Sequence, residues 1–496
     1  MKKYSKREFL KIIGLSIAIA PFYTILSSCS DDSKSNDAHN NKGLDIEEDP
    51  DLSNSQTSYK VSDEDVIVLK REDADFDKFK IGFNARINKL PKYIAVCKTT
   101  LGVQYAISLG QKEGLKVTVK SGGHSFEGFS SNDDGLMINL SQMKKIIWEE
   151  GNKVQIEAGS LLQEIQDELF SRQRLIPAGS CGTVGIAGLT LGGGYGFFSR
   201  KYGLTCDSLT EVEFVDGQGN IHMASKDKDL FWALKGGGNG SFGVATKFTF
   251  ETQAMPQDFF AHVMKFKNLN SQTFYSVLNT WFETSERMTE NDFSAFVLNG
   301  TTLTILSTTI GNRNLLKNTI ANLEDMATSK HSSDVALAKA MKRYYGRTGP
   351  IYFKNASAGL FHSFKDIESV AEQIFEKVAN SKGLIFQINT LGANINNATF
   401  EQNSCYPHRG IPYLSELQAY YESPSQEKRL LNLFEEVQDL IRGVGITAQY
   451  RNYPDINFPN WQQAYYGANY SVLQKIKSKF DTDNLFQYPQ SIELFK

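Results

Sequence analysis

The sequence predicts an α+β fold in three consecutive parts: a glycine-rich half, a sheet-plus-helix half, and a C-terminal segment that returns to the first. Three observations carry the prediction. Glycine loops cluster before residue 255, at 121–125, 179–196 and 236–243, beside short strand or helix patterns. From Pro256 to about residue 448 these loops cease and longer strand and helix patterns alternate. Beyond Tyr450 the composition shifts to clustered Tyr, Asn and Pro. No internal repeat is visible.

The elements follow from local pattern. Helix-type apolar spacing covers 94–109 and ends at Gly110; the β-branched run Val117-Thr118-Val119 reads as a short strand. Segments 135–140 and 154–158 read as further strands, and 161–170 as an amphipathic helix. In the second half, 292–311 and 384–389 read as strands, 365–379 and 427–442 as helices. Gly238 to Gly243 matches G-x-G-x-x-G, but the segment before it, 229–234, reads as helix and the segment after it, 244–250, as strand. A dinucleotide fingerprint needs the reverse order, so that reading is rejected. Ser121-Gly122-Gly123-His124-Ser125 is a different device. It follows a strand directly, and residues lacking Cβ let backbone N–H groups approach a phosphate closely.

Length and composition bound the rest. The 496 residues suggest two or three domains at roughly 100–200 residues each. A net charge of −3 argues against a nucleic-acid partner, which favours a basic patch. The 33 Phe and 21 Tyr must be mostly core, with a surplus able to line a site that stacks sugars or phenols. The five cysteines (Cys29, Cys97, Cys181, Cys206 and Cys405) show no Cys/His metal spacing, and no metal centre is expected.

The N-terminus reads as an address. Lys2, Lys3, Lys6, Arg7 and Lys11 precede an apolar run over 12–26, followed by Leu26-Ser27-Ser28-Cys29. This is the anatomy of a secretory signal. The run is shorter than the about 20 residues that a spanning helix needs. Small residues before the cysteine resemble a bacterial lipobox. The expectation is a signal peptide over 1–28, a lipid-modified Cys29, and a flexible tether over 29–75. Ser5-Lys6-Arg7-Glu8-Phe9-Leu10-Lys11 also resembles a twin-arginine export signal with Lys6 in place of the first arginine. The protein would be exported and held to a membrane by its lipid alone.

Five ordered segments, spread over roughly 80–496, resemble the berberine-bridge-enzyme-like FAD-linked oxidases of the vanillyl-alcohol-oxidase, or PCMH, type of FAD-binding fold. They are Lys120 to Ser125; Gly179-Ser180-Cys181-Gly182-Thr183-Val184-Gly185, continued by Gly192 to Gly196; Asp229 to Leu234 followed by Gly236 to Val244; Tyr450-Arg451-Asn452-Tyr453-Pro454-Asp455; and the block from Tyr465-Tyr466-Gly467 to Ser491-Ile492. The resemblance implies a two-part FAD-binding domain (76–255 and 449–496) with an inserted substrate domain (256–448) built on an antiparallel sheet covered by helices. It implies FAD bonded through His124 to the flavin 8α-methyl and through Cys181 to flavin C6. Ser121, Gly122, Gly123 and Ser125 would cradle the pyrophosphate, with Val184, Gly185, Phe242, Gly243 and Val244 lining the cofactor.

The chemistry implied is hydride transfer from an alcohol carbon to flavin, with a base taking the O–H proton. Tyr450 matches the tyrosinate base of several family members and Tyr453 is the second candidate; Arg451 is a cation adjacent in sequence. Gln387 and Asn389 lie where the family places a substrate-facing strand, and oligosaccharide-oxidising relatives carry Asp where Asn389 stands. The residue at Val184 tends to govern dioxygen entry, favouring an oxidase. The leading expectation is oxidation of the reducing end of a sugar or oligosaccharide. The runner-up is a phenolic or allylic alcohol or a natural-product intermediate. The third, from another class, is a glycan-binding lipoprotein without turnover.

Overall fold

The computed structural model describes residues 59–496, so the signal segment and Cys29 lie outside the described residues. Three sheets organise the chain. The first is four-stranded, in the order Val66–Lys70, Tyr93–Cys97, Leu136–Asn139, Val117–Lys120. Its last three strands are parallel and its first is antiparallel to Tyr93–Cys97. The second is five-stranded and antiparallel, in the order Ile146–Trp148, Lys153–Glu157, Gly243–Glu251, Leu209–Asp216, Ile221–Met223.

Two expectations about this half are corrected. Residues 59–75 do not all belong to a tether, because Val66–Lys70 is an edge strand with Val66 and Leu69 buried. Its short apolar run is flanked by acidic residues, which disguises it as polar linker. The helix expected over 94–109 divides into a strand, Tyr93–Cys97, and a helix, Thr100–Lys112. Thr99 caps that helix by accepting from the Gly102 N–H. A strand buried on both faces shows the same continuous apolar run as a buried helix, so periodicity does not separate them.

The third sheet is seven-stranded and antiparallel. Its order is Ser329–Ala336, Asp258–Phe266, Thr302–Thr309, Asp292–Asn299, Leu384–Thr390, Tyr413–Tyr420, Phe353–Phe361. Helices Ser271–Glu286, Ala371–Ala379 and Pro424–Gly443 cover one face, enclosing Phe274, Trp281, Phe296, Phe375, Leu417 and Phe434. The opposite face turns Phe293, Phe353, Ile385 and Tyr420 towards Phe197 of the glycine-rich half. Both faces are therefore covered, and the central strands Leu384–Thr390 and Tyr413–Tyr420 are buried throughout. Side chains alternate across a strand. Leu384, Phe386 and Ile388 enter the helix-side core, which sends Gln387 and Asn389 to the other face. By the same alternation, Leu417 and Ala419 face the helices while Glu416, Gln418 and Tyr420 do not.

The C-terminal segment closes back on the first sheet. The Val117 N–H donates to the Leu485 carbonyl at 2.9 Å, and the Gln487 N–H to the Val117 carbonyl at 3.2 Å. A buried ion network ties the parts together. Lys354, on the seven-stranded sheet, donates to Glu127 of the glycine-rich half and to Asp455 of the C-terminal segment, the latter at 2.6 Å. Arg86 also pairs with Glu127, at 2.6 Å. Each charge finds an opposite partner, which is the condition for burying it.

Candidate active site

The site is built where two glycine loops cross. A Cβ on Gly122 would lie 2.4 Å from the Gly185 nitrogen, and one on Gly185 would lie 2.4 Å from the Gly122 nitrogen. Only glycine at both positions lets the loops meet. The crossing places His124 and Cys181 on one wall of a cavity of about 270 Å³. The His124 ring stacks on Phe83, with centroids 4.0 Å apart and planes 17° apart. Its Nε2 lies 2.9 Å from the Thr183 hydroxyl, and the Cys181 Sγ lies 3.6 Å from that same oxygen. Desolvation pushes the His124 pKa down to about 3, so the imidazole is neutral. Burial raises the Cys181 thiol, and hydrogen bonding with Thr183 partly offsets it.

The same wall suits an anionic cofactor. Among the described residues, no protein acceptor is bonded to the N–H groups of Gly122, Gly123, His124 or Ser125. A loop of unspent donors is a cradle for a pyrophosphate. Val184, Gly185, Gly240, Gly243 and Ala245 also line the cavity. Phe242 and Val244 do not; both are buried in the first core. Strand alternation is the reason: from Gly243 onward, residues 243 and 245 face the cavity and 244 faces away. Helix Lys228–Ala233 precedes this glycine loop and strand Gly243–Glu251 follows it, the reverse of a dinucleotide fingerprint.

Tyr450 and Tyr453, the candidate proton-handling groups, line the same cavity. The Tyr450 oxygen accepts from the Gly194 N–H and from the Asn452 amide, each at 3.0 Å. Those bonds favour the phenolate, but burial outweighs them and raises the pKa. Tyr453 donates to the Tyr195 hydroxyl at 3.1 Å, and its ring stacks on Phe126 at 5.2 Å. Arg451 does not serve Tyr450: its guanidinium donates to Tyr466 at 2.7 Å and to Tyr488 at 3.3 Å. Gln387 and Asn389 are not on the cavity wall. Gln387 donates to Asn389 at 2.9 Å, and Asn389 donates to Tyr195 at 3.2 Å, so the two amides form a layer behind that tyrosine. The strand carries them to the correct face, but Tyr195 stands in front.

One residue on this wall was not singled out from sequence. Glu416 lines the cavity and is 1% exposed. Neither carboxylate oxygen makes a well-formed hydrogen bond among the described residues. Desolvation raises its pKa from 4.5 to about 8, with the neighbouring Gln418 amide opposing weakly. Burial raises Tyr195 and Tyr453, and the ionised form of Glu416 raises both further. The signal was present in the alternation of Ser415-Glu416-Leu417-Gln418-Ala419, where a carboxylate sits at a buried strand position.

Comparison with known proteins decides the class. Residues 91–225 match the family described as FAD binding domain, and residues 449–493 match berberine and berberine like. The chain is an FAD-linked oxidoreductase. Over 442 residues it is 29% identical to the uncharacterized FAD-linked oxidoreductase YgaK of Bacillus subtilis, covering 86% of this chain and 96% of that one. Over 455 residues it is 25% identical to a chitooligosaccharide oxidase of Gibberella zeae, covering 83% of this chain and 89% of that one. Its fold matches that of a xylooligosaccharide oxidase from Myceliophthora thermophila C1 in complex with xylobiose. That match has a TM-score of 0.79 at 24% identity, with 87% and 98% of the two chains covered. The oxidoreductase thus has the PCMH-type FAD-binding fold, and both matched segments contribute to the cavity wall.

Proposed function

We propose that this oxidoreductase is an oxidase acting on an alcohol carbon, with the reducing end of a sugar or oligosaccharide as its substrate and with FAD held covalently through His124 and Cys181. FAD, when bound, supplies the hydride acceptor and hands the electron pair to dioxygen, releasing hydrogen peroxide. The observation that carries the reading is what lines the cavity together with His124 and Cys181. Glu416, a buried carboxylate that makes no well-formed hydrogen bond among the described residues, and a hydrogen-bonded tyrosine pair, Tyr453 and Tyr195, line one cavity with the two candidate attachment residues. Alcohol oxidation needs a base for the hydroxyl proton, and a base titrating near the working pH is the effective one. Glu416, at about 8, meets that requirement better than Tyr450, which is raised above the ordinary tyrosine value. Tyr453 and Tyr195 orient the substrate hydroxyl. Asn389 fixes Tyr195 by donating to it, a task an amide performs and a carboxylate does not.

A second substrate reading rests on the rings. Phe126, Phe197, Phe293, Phe353 and Tyr420 all line the cavity, and phenyl walls suit a phenolic or allylic alcohol. Peroxide release measured on a panel of reducing sugars and aromatic alcohols separates the two. Turnover of sugars alone supports the first reading, and turnover of aromatic alcohols alone replaces it with the second. Failure of every substrate to bleach the flavin, with retained glycan binding, leaves a binding lipoprotein.

The N-terminal sequence supports export and lipid anchoring at Cys29. Cys29→Ser is expected to release the protein from membranes or leave an uncleaved precursor. A variant that still partitions with detergent-extracted membranes removes the anchor.

A further inference from the structure

Beyond the attachment residues themselves, the structure holds a third group that serves them. We infer that the Thr183 hydroxyl selects the tautomer of His124, and so decides which ring nitrogen bonds to the flavin. The inference rests on the covalent reading above and assigns a positioning role to a residue outside it.

The argument is one of hydrogen-bond accounting. Thr183 has one proton to give and two groups within reach: the Arg347 carbonyl at 3.4 Å, which can only accept, and the His124 Nε2 at 2.9 Å, whose role depends on the tautomer. With the Thr183 proton on the carbonyl, which has no other role open to it, the Thr183 lone pairs face Nε2 and Nε2 carries the hydrogen. A neutral imidazole has one N–H. With Nε2 protonated, Nδ1 carries the free lone pair and is the nucleophile. The Phe83 stack holds the ring plane, which leaves the hydrogen bond to set which edge is which. Cys181 approaches the same oxygen at the longer distance of 3.6 Å. A thiol has no tautomers, so its attachment needs no such selection.

The chemistry balances. One C–H of the flavin 8α-methyl and the Nε2–H of His124 are lost, and one Nδ1–C bond forms. Two protons and two electrons leave; dioxygen takes them as hydrogen peroxide. After attachment Nε2 has become an acceptor, and a hydroxyl can turn to donate to it. A hydroxyl therefore serves both states, which a methyl or a fixed carbonyl does not.

The test reads the adduct rather than the activity. Wild type, Thr183→Val, Thr183→Ala and Thr183→Ser are digested, and the flavin adducts on the His124 and Cys181 peptides are quantified by mass spectrometry. Flavin released on acid precipitation is measured in parallel. Thr183→Val is close to isosteric and is expected to keep bound flavin while the His124 adduct falls at least about tenfold; a factor of ten corresponds to about 1.4 kcal/mol, within the ordinary worth of one hydrogen bond. Thr183→Ala is expected to behave likewise, Thr183→Ser to restore the adduct, and the Cys181 adduct to persist in all. A wild-type level of His124 adduct in Thr183→Val and Thr183→Ala overturns the inference. Loss in Thr183→Ser as well overturns it in favour of a packing role. A wild type with flavin but no adduct on either peptide instead overturns the covalent reading, and the inference falls with it.

Discussion

Glu416→Gln is expected to slow flavin reduction by the substrate by about 10²–10⁴-fold, the usual range for losing a positioned general base. The substitution keeps the shape of the side chain and removes only the ionisable oxygen. It replaces a carboxylate that already lacks good hydrogen bonds, so the fold should tolerate it. Wild-type reduction should rise with pH as the carboxylate ionises through about 8, and the variant should lose that limb. Stability should move the other way. The folded pKa is raised to about 8 from 4.5, so between those values the folded protein holds the proton more tightly than the unfolded chain does. Wild-type stability therefore declines as pH rises through that window, because the charge must form on a buried side chain. Glu416→Gln should show a gain in Tm over wild type that grows from pH 5 to pH 8. Tyr450→Phe and Tyr453→Phe are the controls in rapid-mixing kinetics. If Glu416→Gln reduces its flavin at the wild-type rate and Tyr450→Phe does not, the base is Tyr450 and its two N–H bonds are what tune it. If only Tyr453→Phe is slow, the proton goes to the Tyr453–Tyr195 pair.

The second large effect concerns the cofactor. Acid-precipitated wild-type protein should stay yellow, and the double variant His124→Ala/Cys181→Ala should yield a colourless pellet with all flavin in the supernatant. The motive is geometric: the Gly122–Gly185 crossing brings both side chains to one wall, with Thr183 between them. His124→Ala alone should keep its flavin on Cys181 with an altered spectrum. Complete release from that single variant would mean that no bond to Cys181 forms, and a colourless wild-type pellet would mean that neither does. The neutral state of His124 matters here, since only an unprotonated ring nitrogen has a lone pair to bond with.

Much of the scaffold was legible before any coordinates. The strand at Val117–Lys120 announces itself by a β-branched run, those at Leu136–Asn139 and Lys153–Glu157 fall within segments that read as strands, and the helix expected over 427–442 is found over Pro424–Gly443. The strand Tyr93–Cys97 was read as helix because a doubly buried strand has no alternation to show. Val66–Lys70 was read as tether because its partner, Tyr93–Cys97, lies over 20 residues away and supplies the reason for it to be a strand.

For the site, the residues in glycine loops were legible by themselves. His124, Cys181, Val184 and Gly185 lie in short segments whose backbone shape is dictated locally by missing Cβ atoms, and a local rule can be read locally. The FAD-linked class was likewise carried by ordered motifs along the chain. Only the tertiary structure decided the candidate proton-handling wall. Whether Gln387 and Asn389 face substrate depends on Tyr195, nearly 200 residues earlier, standing in front of them. Whether Glu416 is an ordinary carboxylate or one raised to about 8 depends on how much protein surrounds it and on there being, among the described residues, no cation acting on it. Arg451 adjoins Tyr450 in sequence yet points to Tyr466 and Tyr488. Desolvation and charge act through space over a few ångströms, and the chain order of residues does not record those distances.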